Sequence, residues 1–114
     1  MNQKDISKAF LMMCVTHEVG NAYDLYIHEN FTHHNMHFKS DRKSLLDAMI
    51  QNNIEFPHKK VDIKFQIEEH DMVTNYSIIE IDEKTTYRVI HIFRFHQNQI
   101  IEAWDIGEPL IKDN

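Results

Sequence analysis

Between Val61 and Glu68 apolar and polar side chains alternate: Val61, Ile63, Phe65 and Ile67 against Asp62, Lys64, Gln66 and Glu68. A period of two marks a half-buried strand. His70-Asp71 reads as a turn, Met72–Ile81 as a second strand and Asp82-Glu83-Lys84 as another turn. Thr86–Phe95 and Ile100–Ile106 are the third and fourth strands. Both are apolar on both faces, so both faces of that part of the sheet are expected to be covered. Upstream of Pro57 the period is helical. Ile6, Phe10, Met13 and His17, flanked by Ala9 and Cys14, define a helix over about residues 3–18, with Asn2 as its cap and Gly20 as its stop. Asn21 caps a short second helix from Ala22 to Ile27. A third helix starts near Ser40-Asp41 and carries Leu45, Leu46, Met49, Ile50 and Asn53 on one side.

Three helices followed by an antiparallel meander predict an α+β domain, with the helices on one face of a curved, mainly antiparallel sheet. Ile90, Ile92, Trp104 and Ile106 leave the other face apolar. A homodimer through the sheet is the expected cover.

Composition narrows the function classes. The 114 residues fit one domain, spanning 1–114. The formal charge is −6 and the longest basic run is Lys59-Lys60, which argues against nucleic acid as a partner. Cys14 is the single cysteine and falls in an apolar helical stretch, so no intrachain disulfide forms and a buried, inert thiol is expected. No apolar run is long enough for a membrane span, and a soluble, cytoplasmic protein with no membrane partner is expected. There is no glycine-rich phosphate loop, serine-nucleophile signature or paired-cysteine site.

The candidate chemistry lies in two places. The first is the last hairpin, "YRVIHIFRFHQNQIIEAWDIGEP", with His91 and Asp105 on adjacent strands. A two-residue loop sets His91 opposite Trp104 and turns Asp105 away. A three-residue loop, with Asn98 in the left-handed conformation, brings His91 and Asp105 to one face as diagonal neighbours, and this is the preferred register. On an apolar face such a pair is either a satisfied structural contact or an acid/base pair. The second is "NFTHHNMHF" at 30–38. If extended, it turns His33, Asn35 and His37 one way and His34, Met36 and Phe38 the other. It matches no specific metal pattern, so no metal is expected, and His33 and His37 read as surface histidines.

"HHN" before the third helix, "DMV" at 71–73, "VIHIFRF" and "IIEAWDIGEP" together resemble the SnoaL-like branch of the nuclear-transport-factor-2-like (NTF2-like) superfamily, from about Tyr23 to Pro109. The resemblance implies a cone-shaped α+β barrel whose sheet curls around a long helix, with a pocket open at one end. It also implies polyketide-cyclase-like chemistry without a metal or organic cofactor. Asp105 would be the general acid/base and His91 its assistant. His34 and Asn35 would orient the substrate, with Phe31, Tyr76, Phe93 and Trp104 as wall or supporting positions. The chain departs from the pattern at Ala103, where many members carry His, at Tyr76 and Ile78, which stand where a His is frequent, and at Asn98, which replaces the turn glycine. Three functions follow from one pocket: a cofactor-independent isomerase or cyclase acting on a small carbonyl compound, a non-catalytic binder of an apolar metabolite, or a dimeric scaffold whose vestigial pocket is plugged by Phe93 and Phe95.

Overall fold

The computed structural model describes residues 1–34 and 41–110. Its elements run α1 (Gln3–Cys14), α2 (Val19–Tyr26), β1 (Ile27–His34), α3 (Arg42–Glu55), β2 (Lys60–Glu69), β3 (Met72–Glu80), β4 (Thr86–His96) and β5 (Gln99–Pro109). The strands form one open sheet in the order β1-β5-β4-β3-β2. Among the described residues no helix is long and apolar enough to cross a membrane.

Local signals set the helix starts. Asn2 accepts a hydrogen bond from the Asp5 N–H at 2.8 Å, and Asp41 accepts one from Ser44 N–H at 2.8 Å. Each satisfies a donor that the first helical turn leaves open. The C-terminal end of α1 is closed from a distance: the buried Asn53 of α3 donates Nδ2 to the carbonyls of Cys14 and Thr16 at 2.9 and 2.7 Å. The core gathers Ile6, Phe10, Leu11 and Cys14 of α1 with Val19, Ala22 and Tyr23 of α2, and with Val73, Phe93, Phe95, Ile100 and Ala103 of the sheet.

The structure corrects the sequence reading at four places. Gly20 does not end a helix but lies inside α2, which begins at Val19. Ile27, expected as the last residue of the second helix, instead opens an eight-residue strand over residues 27–34, which pairs parallel with β5. The sheet is therefore mixed, with four antiparallel strands and one parallel edge. Ile50, expected on the buried side of α3, is exposed, as is His17. The alternation in β2 breaks at Lys64, an extra residue opposite β3. A bulge reverses the faces of everything beyond it. Val61 and Ile63 thus face the helices, whereas Phe65 and Ile67 are 52% and 60% exposed on the outer face.

Candidate active site

A cavity of about 270 Å³ lies between the helices and the sheet. Its walls are largely apolar, with Phe10 and Leu11 of α1, Leu45 and Met49 of α3, Val61 of β2 and Ile79 of β3 among them. Polar groups enter at a few points, namely His33, His91, Asp105, Tyr23, Asn52 and Lys59.

The final hairpin brings His91 and Asp105 together. Gln97 and Asn98 alone make the loop, both with positive φ (50° and 64°), between the paired residues His96 and Gln99. That is the backbone of a type I′ turn. A two-residue loop alone would place His91 opposite Trp104. It does not, because Phe95 pairs with Ile100 whereas Arg94 pairs with Glu102, leaving Ile101 as an extra residue. This bulge moves the register by one, and His91 stands directly opposite Asp105. The expected shared face is realised, through a bulge inside β5 rather than a longer loop, and the two residues are opposite rather than diagonal.

β1 supplies the third group. Phe31 and His33 are buried while Thr32 and His34 are exposed, the alternation of a strand covered on one side. His33 pairs in register with Ala103, and its Nε2 lies 3.2 Å from Asp105 Oδ2. The His33 side chain is 4% exposed and that of Asp105 21%. With Asp105 ionised, His33 Nε2–H donates to it and Nδ1 is left without a partner among the described residues.

His91 sits beside Phe93, ring centroids 6.0 Å apart, with its Nδ1 sealed from solvent and unpartnered among the described residues. Burial pushes its pKa down to about 4; the Asp105 carboxylate opposes this and His33 adds to it. At neutral pH His91 is therefore an uncharged imidazole that can donate one N–H. Tyr23, fully buried, donates its hydroxyl to Met49 Sδ at 3.4 Å. Burial raises its pKa, and nearby Cys14 and Asp105 raise it further against Arg42. It stays a neutral phenol in the wall.

A pH dependence of stability follows. The unfolded chain takes up the His91 proton near pH 6.5, the folded chain only near pH 4. Stability from this group is complete above pH 6.5 and is lost as pH falls from 6.5 towards 4, by on the order of 3 kcal/mol. Urea unfolding of the wild type and of His91→Gln between pH 4 and 7 should give lines that converge as pH falls. Parallel lines would contradict a His91 held neutral by the fold.

The remaining expected site residues are distributed differently. His34 is outside the cavity: Nε2 lies 2.8 Å from Glu102 Oε2 and the ring stacks on Trp104 at 5.1 Å. The odd-numbered parity of β1 that buries Phe31 also buries His33, so His34 must point outward. Tyr76 is on the outer face, stacked on Phe65, because Asn75 and Ser77 take the inward positions. Trp104 borders the cavity, but its ring lies between His34 and the Arg94 guanidinium. Phe31 and Phe93 are in the wall. Phe95 is buried in the core without lining the cavity, and Phe93 does not fill it, so the plug expected of a vestigial pocket is not formed. Asn35, Met36, His37 and Phe38 lie outside the described residues. Sequence reading missed His33, although its parity with Phe31 was a usable signal. It also missed Lys59, seen there only as part of a basic pair. Among the described residues no three His, Cys, Asp or Glu side chains are grouped to hold a metal ion.

No protein-family model matches the sequence, and no curated protein is significantly similar to it. Solved structures are similar in fold. A SnoaL-like polyketide cyclase from Agrobacterium tumefaciens superposes with a TM-score of 0.77 at 12% identity, covering 95% of this chain and 92% of that one. An NTF2-like protein of unknown function from Cytophaga hutchinsonii gives 0.78 at 16%, covering 95% and 91%. A loop-truncated variant of IdmH, from Streptomyces antibioticus, gives 0.78 at 14%, covering 94% and 93%.

Proposed function

Because the chain has the cone-shaped SnoaL-like fold of the NTF2-like superfamily, we propose that it is a cofactor-independent enzyme that enolises a small carbonyl compound, as an isomerase or cyclase. The observation that carries this reading is the Asp105 carboxylate, hydrogen-bonded to a buried His33 and facing a neutral His91 at an apolar cavity. Asp105 removes a proton alpha to the carbonyl, and the C–H electron pair passes to the carbonyl oxygen as an enolate. His33 holds the carboxylate in position. His91 donates its N–H to the developing enolate oxygen, where a neutral donor in an apolar setting is most effective. Returning the proton to another carbon gives isomerisation; attack of the enolate carbon on a second carbonyl of the same molecule closes a ring, the carbonyl π pair passing to its oxygen, which takes the proton back from Asp105. The cyclase from Agrobacterium tumefaciens supports the second outcome by analogy of fold.

The test is deuterium incorporation alpha to the ketone, followed by NMR in D₂O over a panel of small ketones and diketones. Protein-dependent exchange is expected. Binding without exchange would favour the second reading, a carrier of an apolar metabolite, which the largely aliphatic and aromatic walls also suit.

The same reading includes a homodimer. On the outer face Ile90 pairs with Ile106 and Ile92 with Trp104, while Phe65 and Ile67 extend the apolar surface across the sheet. Ile106, 73% exposed, would be covered by a second copy. Ile106→Asp should convert a dimer into a monomer in sedimentation equilibrium. A wild type that sediments as a monomer would remove this part of the proposal.

A further inference from the structure

The cavity has a second polar end. Val61 pairs with Ile79 and Ile79 with Tyr87, so Lys59 stands near the level where β4 begins. His91 lies four residues beyond Tyr87, about 13 Å further along the strand at ~3.3 Å per residue. Lys59 and Asn52 both line the cavity, and Lys59 Nζ donates to Asn52 Oδ1.

Lys59 has no ion-pair partner among the described residues. The acidic residues Glu55, Glu80, Asp82 and Glu83 line a separate surface hollow with Lys60. Burial lowers the Lys59 pKa, the mark of a cation that lacks compensation. An ammonium has three donors and one is used. Among the described residues the Asn52 amide Nδ2 has no acceptor, which leaves a further donor beside the ammonium. One cation and one amide donor match the single charge and two oxygens of a carboxylate better than they match a phosphate.

We propose that Lys59, steadied by Asn52, anchors the carboxylate of a short linear oxo acid whose ketone reaches Asp105 at the opposite end of the cavity. This rests on the reading of Asp105 as the base acting beside a carbonyl. It narrows the substrate class to molecules with an acid at one end, a ketone at the other and an apolar span between them.

Calorimetric titration tests it with methyl-ketone acids graded in length from 4-oxopentanoate to 8-oxononanoate, each beside the corresponding methyl ketone without the carboxylate. At the best length the acid should bind about tenfold or more tightly than its neutral partner. Lys59→Met should remove that preference and Lys59→Arg should keep most of it, with circular dichroism confirming the fold. Should Lys59→Met not fold, Lys59→Gln serves the same comparison. No preference in the wild type, no binding by any member, or a preference that survives Lys59→Met would overturn the anchor. The last result would leave Lys59 as a structural partner of α3. Alpha-deuterium exchange on the same wild-type samples separates the two proposals. Acid preference without exchange keeps the anchor and removes Asp105 as base; exchange on neutral ketones without acid preference does the reverse.

Discussion

Asp105→Asn should lower alpha-proton exchange by roughly a thousandfold, the middle of the range for loss of a positioned general base. Asparagine has nearly the shape of aspartate, and its Oδ1 can still accept from His33 Nε2, 3.2 Å from the carboxylate. The partner of a buried imidazole is thus not stripped away, and the melting temperature should move by only a few degrees. What is lost is the site that takes the proton. Ligand affinity, measured by calorimetry on the same variant, should fall far less than turnover. That split separates a base from a residue that merely shapes the pocket. Exchange at the wild-type rate would take Asp105 out of the mechanism, whatever its distance from His33.

The largest effect on stability is expected at Phe10. Its ring meets Tyr23 of α2 at 5.7 Å and Phe93 of β4 edge-on at 5.7 Å, so a single side chain ties α1 both to its neighbouring helix and to the sheet. Aromatic pairs in these geometries contribute beyond the area they bury. Phe→Ala in a closed core costs about 3–5 kcal/mol. Phe10 also lines the cavity, so the space left by truncation joins an existing hollow that solvent or ligand can enter. The lower end, about 3 kcal/mol, is the expected loss, and a fall in melting temperature on the order of 12–20 °C goes with it. Urea unfolding followed by circular dichroism measures it. A loss below about 1 kcal/mol would mean that α1 is held chiefly by its other contacts, Ile6 and Leu11 among them.

Much of this architecture was legible in the chain, and the misses have physical reasons. Period-two alternation located the first strand of the meander, because a strand with one covered face must alternate, and the turn residues divided the rest. The caps Asn2 and Asp41 fixed two helix starts, since each has the short polar side chain that reaches the first-turn N–H groups. β1 was hidden because its partner is distant in sequence: "IHENFTHH" has only two apolar side chains, and its extended form is held by parallel pairing with β5. No local propensity records such a partner. The misplacement of His34 followed from choosing between adjacent histidines without knowing which face of that strand the core covers. In β2 the pattern was regular but the pairing was not, and the extra Lys64 reversed Phe65 and Ile67. Lys59 was invisible for another reason. A lysine just before a strand is ordinarily solvated, and only the return of α3 and its Asn52 past that point draws the ammonium to the cavity.

The extra residue at Ile101 has a wider meaning for how this hairpin evolves. From the turn outward, the two strands behave like a message read in alternate letters, and one insertion changes which letters are read. With Ile101 bulged out of the ladder, Ala103 and Asp105 are read inward and Glu102 and Trp104 outward; were Ile101 instead paired with Arg94, the two sets would exchange places. A one-codon deletion of Ile101 would remove the bulge and keep Arg94 opposite Glu102 and His91 opposite Asp105, whereas one extra residue paired within the ladder between Glu102 and Asp105 would turn the aspartate away from the cavity. Two relatives can therefore share these letters and have unlike interiors, or differ in them and have the same one. Along this strand descent is better traced by parity than by spelling.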